Sequence, residues 1–362
     1  MTILFLTLSR FSQFPTYKRA VGMGEALAMK GHEVFIAVLD CAENRLRMQR
    51  EAPHCHPIWF LHGVWNELCV KILAIYRLRP DVVYSTSYTI HNLACLRWLF
   101  SRRIKFVLEF CELYSKFSDK RIRWSFFELL ALFEYRHILC ASRYLHKHFL
   151  SVCDKWHLVR DIVYSPYAYP NYLNPVPQEM QGDKKTIVFM AAMYRGYGPF
   201  VVMGAFRQLT DCSNVVLEML GGGPALEEMK EWVREHHLEN CIHVRGFVPE
   251  DDLNDYFSRA SVFVSPMRDT PQDWARCPSK LFYYLPYNKP IVTCKIGNPY
   301  DVLGDSGYYY EPGNEVDMAR SMMEALRDST SFSYSESFIE AHSWRARAVE
   351  FERWMRKGAG CR

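Results

Sequence analysis

Short apolar runs rich in β-branched residues alternate along most of the chain with longer stretches of helical periodicity. Thr2–Leu8 reads as a buried first strand and Ser9–Pro15 as a polar loop. Thr16 is placed to cap a helix that runs to about Lys30, where Gly31 supplies a left-handed stop. His32–Leu39 follows as a second strand and completes a βαβ opening. Further strands are predicted at Asp81–Tyr84 and Lys105–Leu108. Asn171–Asp183, with Pro175 and Pro177, reads as a linker. The alternation then restarts with Thr186–Phe189, Val215–Leu220, Ile242–Val244, Val262–Val264 and Ile291–Thr293, separated by helical patterns, so the sheets should be parallel. Ser343–Lys357 is a basic helix containing tryptophan. A chain of 362 residues exceeds the usual single core. The pattern divides it into a domain at 1–172, a domain at 182–340 and a C-terminal helix at 341–362.

The most informative stretch runs from Ser265 to Thr293. Pro278-Ser279-Lys280 opens an apolar segment, Leu281-Phe-Tyr-Tyr-Leu285, between a polar loop and the strand Ile291–Thr293. Proline is tolerated at the first helical position, and a helix N-terminus offers unpaired N–H groups to an anion. Arg276 and Lys280 add full charges there. An anionic ligand is expected at this point, with a structural pair between Arg276 and Asp273 as the alternative use of that arginine.

This stretch resembles the donor-binding segment of retaining glycosyltransferases of the GT-B fold, in the group 1, family 4-like set, which read P-S-K-L-F-E-Y-L and then G-K-P-V-V. The resemblance extends to Leu220-Gly-Gly-Gly-Pro224, Val244-Arg-Gly-Phe-Val-Pro249, Ala260-Ser-Val-Phe-Val264 and, near the start, Gly31-His-Glu-Val34. It implies an α/β architecture of two Rossmann-like domains facing each other across a cleft, with the last helix crossing back to the first domain. It also implies transfer of a hexosyl or related sugar from a nucleotide-diphosphate donor to an acceptor, with retention of configuration and no required metal or other cofactor. No motif specifies the acceptor, which in such proteins is lipid-linked, a glycan or a small molecule. The donor-binding candidates are Arg195, Gly198, Arg245, Gly246, Phe247, Asp273, Arg276, Pro278, Ser279, Lys280 and Tyr283. In open α/β sheets ligands collect beyond the carboxyl ends of strands. That rule puts Ser87, His91 and Glu112 at the expected cleft, with His91 and Glu112 the catalytic candidates and capping or surface hydrogen bonding their alternative roles.

The chain also departs from the family pattern. An arginine and a lysine expected against the donor diphosphate are Ala192 and Tyr197, and two glutamates eight positions apart are Ala275 and Tyr283. Each missing charge-assisted hydrogen bond is worth about 1.5–3 kcal/mol. Either nearby groups replace them, or the chain is a binding or scaffold subunit without catalysis; a GT-B sugar-nucleotide epimerase is a third reading. Gly221-Gly-Gly-Pro224 is read as a packing turn rather than a phosphate loop, because Glu227 and Glu228 in the following turn would repel a phosphate.

Composition narrows the partners. The net charge is +4, yet residues 1–180 hold 23 Lys and Arg against 15 Asp and Glu. Val64–Arg79 and Arg97–Trp124 mix aromatics with cations, among them Trp98, Arg102, Arg103, Lys120 and Arg121. Such stretches either rest on an anionic membrane or form a partly buried helix pair with snorkelling cations. Twelve cysteines without C-x-x-C or zinc spacing fit a reducing cytoplasm. No leader-like segment precedes the first strand, no apolar run reaches membrane-spanning length, and nothing resembles a nucleic-acid reader. The expected setting is the cytoplasm, free or peripheral at the inner face of the membrane.

Overall fold

The computed structural model describes residues 1–8, 15–117, 121–170, 184–209 and 214–357. The chain divides into two compact units. Unit 1 comprises Met1–Tyr172, Ala275–Cys277 and Glu340–Arg362; unit 2 comprises Leu173–Trp274 and Pro278–Ile339. The expected linker, Asn171–Asp183, and most of the first loop lie outside the described residues.

In unit 1 the order is β1 (Thr2–Leu6), α1 (Pro15–Ala28), β2 (Glu33–Leu39), α2 (Ala42–Glu51), β3 (His56–Phe60), α3 (Val64–Leu78), β4 (Val82–Ser85), β5 (Lys105–Phe110), α4 (Tyr114–Phe117), α5 (Arg121–Glu134), β6 (His137–Cys140), α6 (Arg143–Lys155) and β7 (Asp161–Tyr164). Its seven parallel strands lie in the order β3-β2-β1-β4-β5-β6-β7. Ile3 pairs with Val34 on one side and Val82 on the other. The central strands are largely apolar because helices cover both faces of such a sheet, and Leu4, Leu6, Val83, Leu108 and Ile138 are fully buried. Two expectations need correction. Helix α1 begins at Pro15, so Thr16 is inside it and is not its cap; Gly31 then takes the left-handed φ of +83°. Strand β3 was not expected, because His56 and Pro57 interrupt its apolar run; it lies at the sheet edge, where proline is tolerated.

Unit 2 runs β8 (Lys185–Met190), α7 (Pro199–Arg207), β9 (Val215–Leu220), α8 (Leu226–Glu235), β10 (Ile242–Gly246), α9 (Leu253–Ser258), β11 (Val262–Ser265), α10 (Pro271–Ala275), α11 (Ser279–Tyr284), β12 (Ile291–Thr293), α12 (Gly297–Leu303), β13 (Tyr308–Tyr309) and α13 (Glu315–Asp328). Six parallel strands follow the order β10-β9-β8-β11-β12-β13. Pro278 caps α11 from outside instead of filling its first helical position. At the Gly221–Pro224 turn, Gly221 has φ +140° and a Cβ there would overlap the Ala191 carbonyl. Only glycine fits, so this turn is a packing device between β8 and β9.

After α14 (Glu336–Glu340), α15 (Trp344–Lys357) returns to unit 1. Trp344 is buried against α1, and a Cβ on Gly22 would overlap its indole. The Arg19 guanidinium lies 5.7 Å from the Trp344 ring, donates through Nη2 to the Ser165 carbonyl at 2.8 Å and is ion-paired with Glu109. The Tyr84 hydroxyl donates to the same carboxylate at 2.9 Å. Thus α15 closes over a buried polar network.

The Gly22→Ala change forces the indole out of its seat and should cost about 1–3 kcal/mol, the usual range for overpacking. Urea melts of Gly22→Ala, Trp344→Ala and the double variant check this. The double should be clearly less destabilised than the sum of the singles.

Candidate active site

Both sheets reverse their strand order beside their first strand. In unit 1 the reversal lies between β1 and β4, and in unit 2 between β8 and β11. The connections diverge to opposite faces there and leave a crevice at the carboxyl ends of the strands. The residues at these two points are the candidate functional residues, described separately within each unit.

In unit 1 the crevice floor is a buried cation. Lys71, from α3, is fully buried; its Nζ donates to Thr7 O at 2.6 Å, Glu67 Oε1 at 2.6 Å, His91 O at 2.7 Å and Asn92 Oδ1 at 2.8 Å. Burial pushes the Lys71 ammonium down to about 8, and Glu67 opposes that shift. The other Glu67 oxygen lies 2.8 Å from His91 Nδ1. A carboxylate can only accept, so Nδ1 carries the proton and Nε2 is left as an acceptor. His91 is one-third exposed in the turn Ile90–Asn92. The i, i+4 pair Glu67–Lys71 belongs to the stretch Val64–Arg79, read either as a membrane surface or as a partly buried helix pair, and this pair is interior. Its spacing was the available signal.

Glu112 follows β5 and is half-buried; burial raises its carboxyl above the usual range, and the Arg276 guanidinium offsets part of the rise. Arg276 therefore lies with Glu112 in unit 1, whereas Pro278, Ser279 and Lys280 belong to unit 2. Its neighbours decide this. Ala275 is buried in the unit 1 core and accepts from Ser142 Oγ at 2.7 Å, and Cys277 Sγ accepts from Tyr167 N at 3.3 Å.

In unit 2 the cation at the crevice is Arg268, which the sequence reading missed. Asp273, almost fully buried, accepts from Arg268 N at 2.7 Å and from its Nε at 3.2 Å. The sequence put Asp273 at the ligand; its carboxylate serves as the arginine's anchor. Arg268 Nη1 lies 3.1 Å from where a Cβ on Gly196 would stand, so the guanidinium rests on the loop after β8. That loop ends at Gly198, with φ +82°, whose missing side chain leaves room for Pro266. The Lys280 ammonium lies 4.6 Å from the centre of the Phe189 ring at the end of β8.

The remaining candidates are distributed around this centre. Arg195 is exposed and paired with Glu228, its Nε donating to Oε2 at 2.9 Å. Arg245 forks onto Glu218 at 2.7 and 2.9 Å; burial alone would raise that carboxyl, but Arg245 and His243 hold it below its usual range. Gly246 has φ +73° and Phe247 is largely exposed. Tyr283, at one of the altered glutamate positions, is buried and donates to Glu250 Oε1 at 2.7 Å. A carboxylate is thereby supplied from the turn after β10. Among the described residues, no group of three His, Cys, Asp or Glu is arranged to hold a metal ion, and no helix is long and apolar enough to cross a membrane.

Known proteins agree with this architecture. The 2-deoxystreptamine N-acetyl-D-glucosaminyltransferase of Niallia circulans is 25% identical over 165 residues, 44% of this chain and 40% of that relative. Among solved structures, Anabaena HepE, crystallised with UDP and glucose, matches over 99% of this chain and 98% of its own, with a TM-score of 0.71 at 14% identity. A glycosyltransferase from Rickettsia africae matches over 99% and 96%, with a TM-score of 0.70 at 14% identity. The two parallel-sheet units share the GT-B fold of these solved glycosyltransferases, and residues 174–344, just under half of the chain, match the model for glycosyl transferases group 1.

Proposed function

We propose that this chain transfers a sugar from a nucleoside-diphosphate donor to an acceptor hydroxyl with retention of configuration. It would do so in the cytoplasm, with peripheral contact at an anionic membrane. The observation that carries the reading is the Arg268–Asp273 anchor beside Lys280 at the crevice of unit 2. In this reading Arg268 and Lys280 take over the diphosphate contacts missing at Ala192 and Tyr197. Glu250, held by Tyr283, takes over the contact to the donor ribose that the family's second glutamate makes and that is missing at Tyr283, and backbone groups at Gly246 and Phe247 meet the base. Arg276 serves Glu112 within unit 1.

No protein nucleophile is obligatory. The bond from the anomeric carbon to the diphosphate breaks as the acceptor oxygen bonds to that carbon, and the cations stabilise the departing charge. The reading requires no metal. In unit 1, His91 Nε2 accepts from the acceptor hydroxyl, while Glu67 and Lys71 fix the ring.

HepE was crystallised with UDP, so UDP is the first nucleotide to try. Calorimetry on wild type should detect UDP. Arg268→Ala should lower its affinity by roughly ten- to a hundredfold, about 1.5–3 kcal/mol, with uridine affinity unchanged. Arg268→Lys should restore only part, because lysine cannot make a two-pronged contact. An equal loss in Arg276→Ala would move the diphosphate contact to Arg276. UDP binding without sugar transfer or donor hydrolysis would favour a binding subunit.

The unit 1 half has its own test. Lys71→Met leaves the Glu67 carboxylate buried without its cation and should cost about 3–5 kcal/mol, most of it recovered in Glu67→Gln/Lys71→Met. Lys71 releases its proton near pH 8 when folded and near 10.5 when unfolded. The unfolded chain thus binds more protons in that window, and wild-type stability relative to Lys71→Met should rise with pH across it. Denaturant melts at several pH values measure both effects.

A further inference from the structure

The first part of the basic, aromatic stretch, Arg97–Lys105, has no part in either crevice. In unit 1 it borders a cavity of about 930 Å³ at the amino-terminal ends of β5, β6 and β7, the sheet edge opposite the site. Arg97, Arg102, Arg103, Lys105 and Arg136 line it together with Trp98 and Phe133.

Its two carboxylates are engaged elsewhere. Glu134 accepts from Tyr88 Oη at 2.9 Å, Cys95 N at 2.8 Å and Arg97 N at 3.0 Å. Asp161 accepts from Trp354 Nε1 at 2.7 Å and lies 3.1 Å from His137 Nδ1. Lys105 donates to the Met355 carbonyl and Arg97 to the Glu134 carbonyl. Arg102, Arg103 and Arg136 are exposed, and among the described residues none of them has a carboxylate in ion-pairing range. The cavity mouth is therefore a cluster of uncompensated guanidinium groups.

An apolar stripe leads to it. Ile122, Phe126 and Phe133, four and seven residues apart, share one face of α5 and are 90%, 60% and 48% exposed. Trp156 meets Phe133 edge-on at 6.1 Å. Trp98 is 77% exposed, with its indole N–H held by the Cys95 carbonyl at 2.8 Å, so its ring stands out at a fixed angle. Apolar side chains beside unpaired cations are what a lipid interface accommodates: rings enter the headgroup layer while guanidinium groups meet phosphates. Lys120 and the side chain of Arg121, also expected here, lie outside the described residues.

We infer that the α5 stripe and the Arg102–Arg103–Arg136 cavity seat this protein on an anionic phospholipid surface, with lipid phosphate in the cavity. This rests on the peripheral-contact part of the proposed function and is independent of the transfer chemistry. The test is co-sedimentation with phosphatidylcholine vesicles with and without phosphatidylglycerol, at low salt. Binding should require phosphatidylglycerol, and Trp98→Ala should weaken it and remove a lipid-induced blue shift of tryptophan emission. Each surface cation contributes about fivefold to partitioning, so neutralising all three with Arg102→Gln, Arg103→Gln and Arg136→Gln should lower it about a hundredfold. The matching triple lysine variant should retain binding, which guards against a folding artefact. Indifference of wild type to the vesicles overturns the inference, as does binding unaffected by the triple change. Light scattering that shows a dimer dispersed by Phe126→Ser, without vesicle binding, would make the occupant a second copy. Saturable binding of inorganic phosphate without vesicle binding would make it a soluble anion. UDP affinity measured on the same proteins keeps a failure here distinct from a failure of donor binding.

Discussion

The structure depends on two parallel pairings, β1 with β4 and β8 with β11, across which each sheet reverses its direction of growth. Parallel strands joined by right-handed crossovers send helices to both faces, and only at the reversal do neighbouring connections part. The backbone at those points cannot be covered by the sheet's own helices, so side chains must satisfy it. The two units meet that demand in different ways. Unit 1 fills the point with an internally bonded ammonium that accepts no further partner. Unit 2 fills it with a guanidinium anchored on one side and half-exposed on the other. The first arrangement holds a neighbouring imidazole still; the second leaves donors available to an anion.

The fold was legible because buried parallel strands are written as unbroken apolar runs, such as Val262-Phe-Val264 and Ile291-Val-Thr293, and these stand where expected. Legibility failed where a strand is marginal. His56 and Pro57 conceal an edge strand, and Tyr308–Tyr309 is too short to show a pattern. Within the site, the Pro278–Lys280 motif was visible, while the partners that give it meaning were not. Arg268 and Asp273 are five residues apart, one in a loop and the other in the short helix α10, a separation with no regular geometry from which to infer contact. Glu67 and Lys71 have helical spacing, but that spacing is shared with ordinary surface pairs, and only burial distinguishes them. For Arg276 the deciding factor was the packing of Ala275 and Cys277, apolar neighbours whose destination no local rule predicts.

In the proposed reading, the altered positions illustrate how a charged site is rebuilt. Of the candidate cations, Arg195 is paired with the partly exposed Glu228, whereas Arg245 is paired with the buried Glu218. Exposed pairs contribute about 0–1 kcal/mol because water screens them. Arg268, like Arg245, is held by a buried carboxylate, Asp273, which fixes the guanidinium and, in the proposed reading, lowers the ordering cost of binding an anion. Tyr283 is a comparable exchange. A phenol at the helix position reaches a carboxylate on another element, so the acid is retained while its place in the sequence moves.

The return of α15 to unit 1 bears on how the chain is assembled during synthesis. Unit 2 is almost continuous in sequence, whereas unit 1 needs Trp344 and its helix to cover Gly22 and Arg19. These residues are made only after the whole of unit 2 has emerged. Domains ordinarily fold in the order of their synthesis. Here the helix that completes the first unit's core is synthesised after unit 2, so that core cannot close before unit 2 has been made.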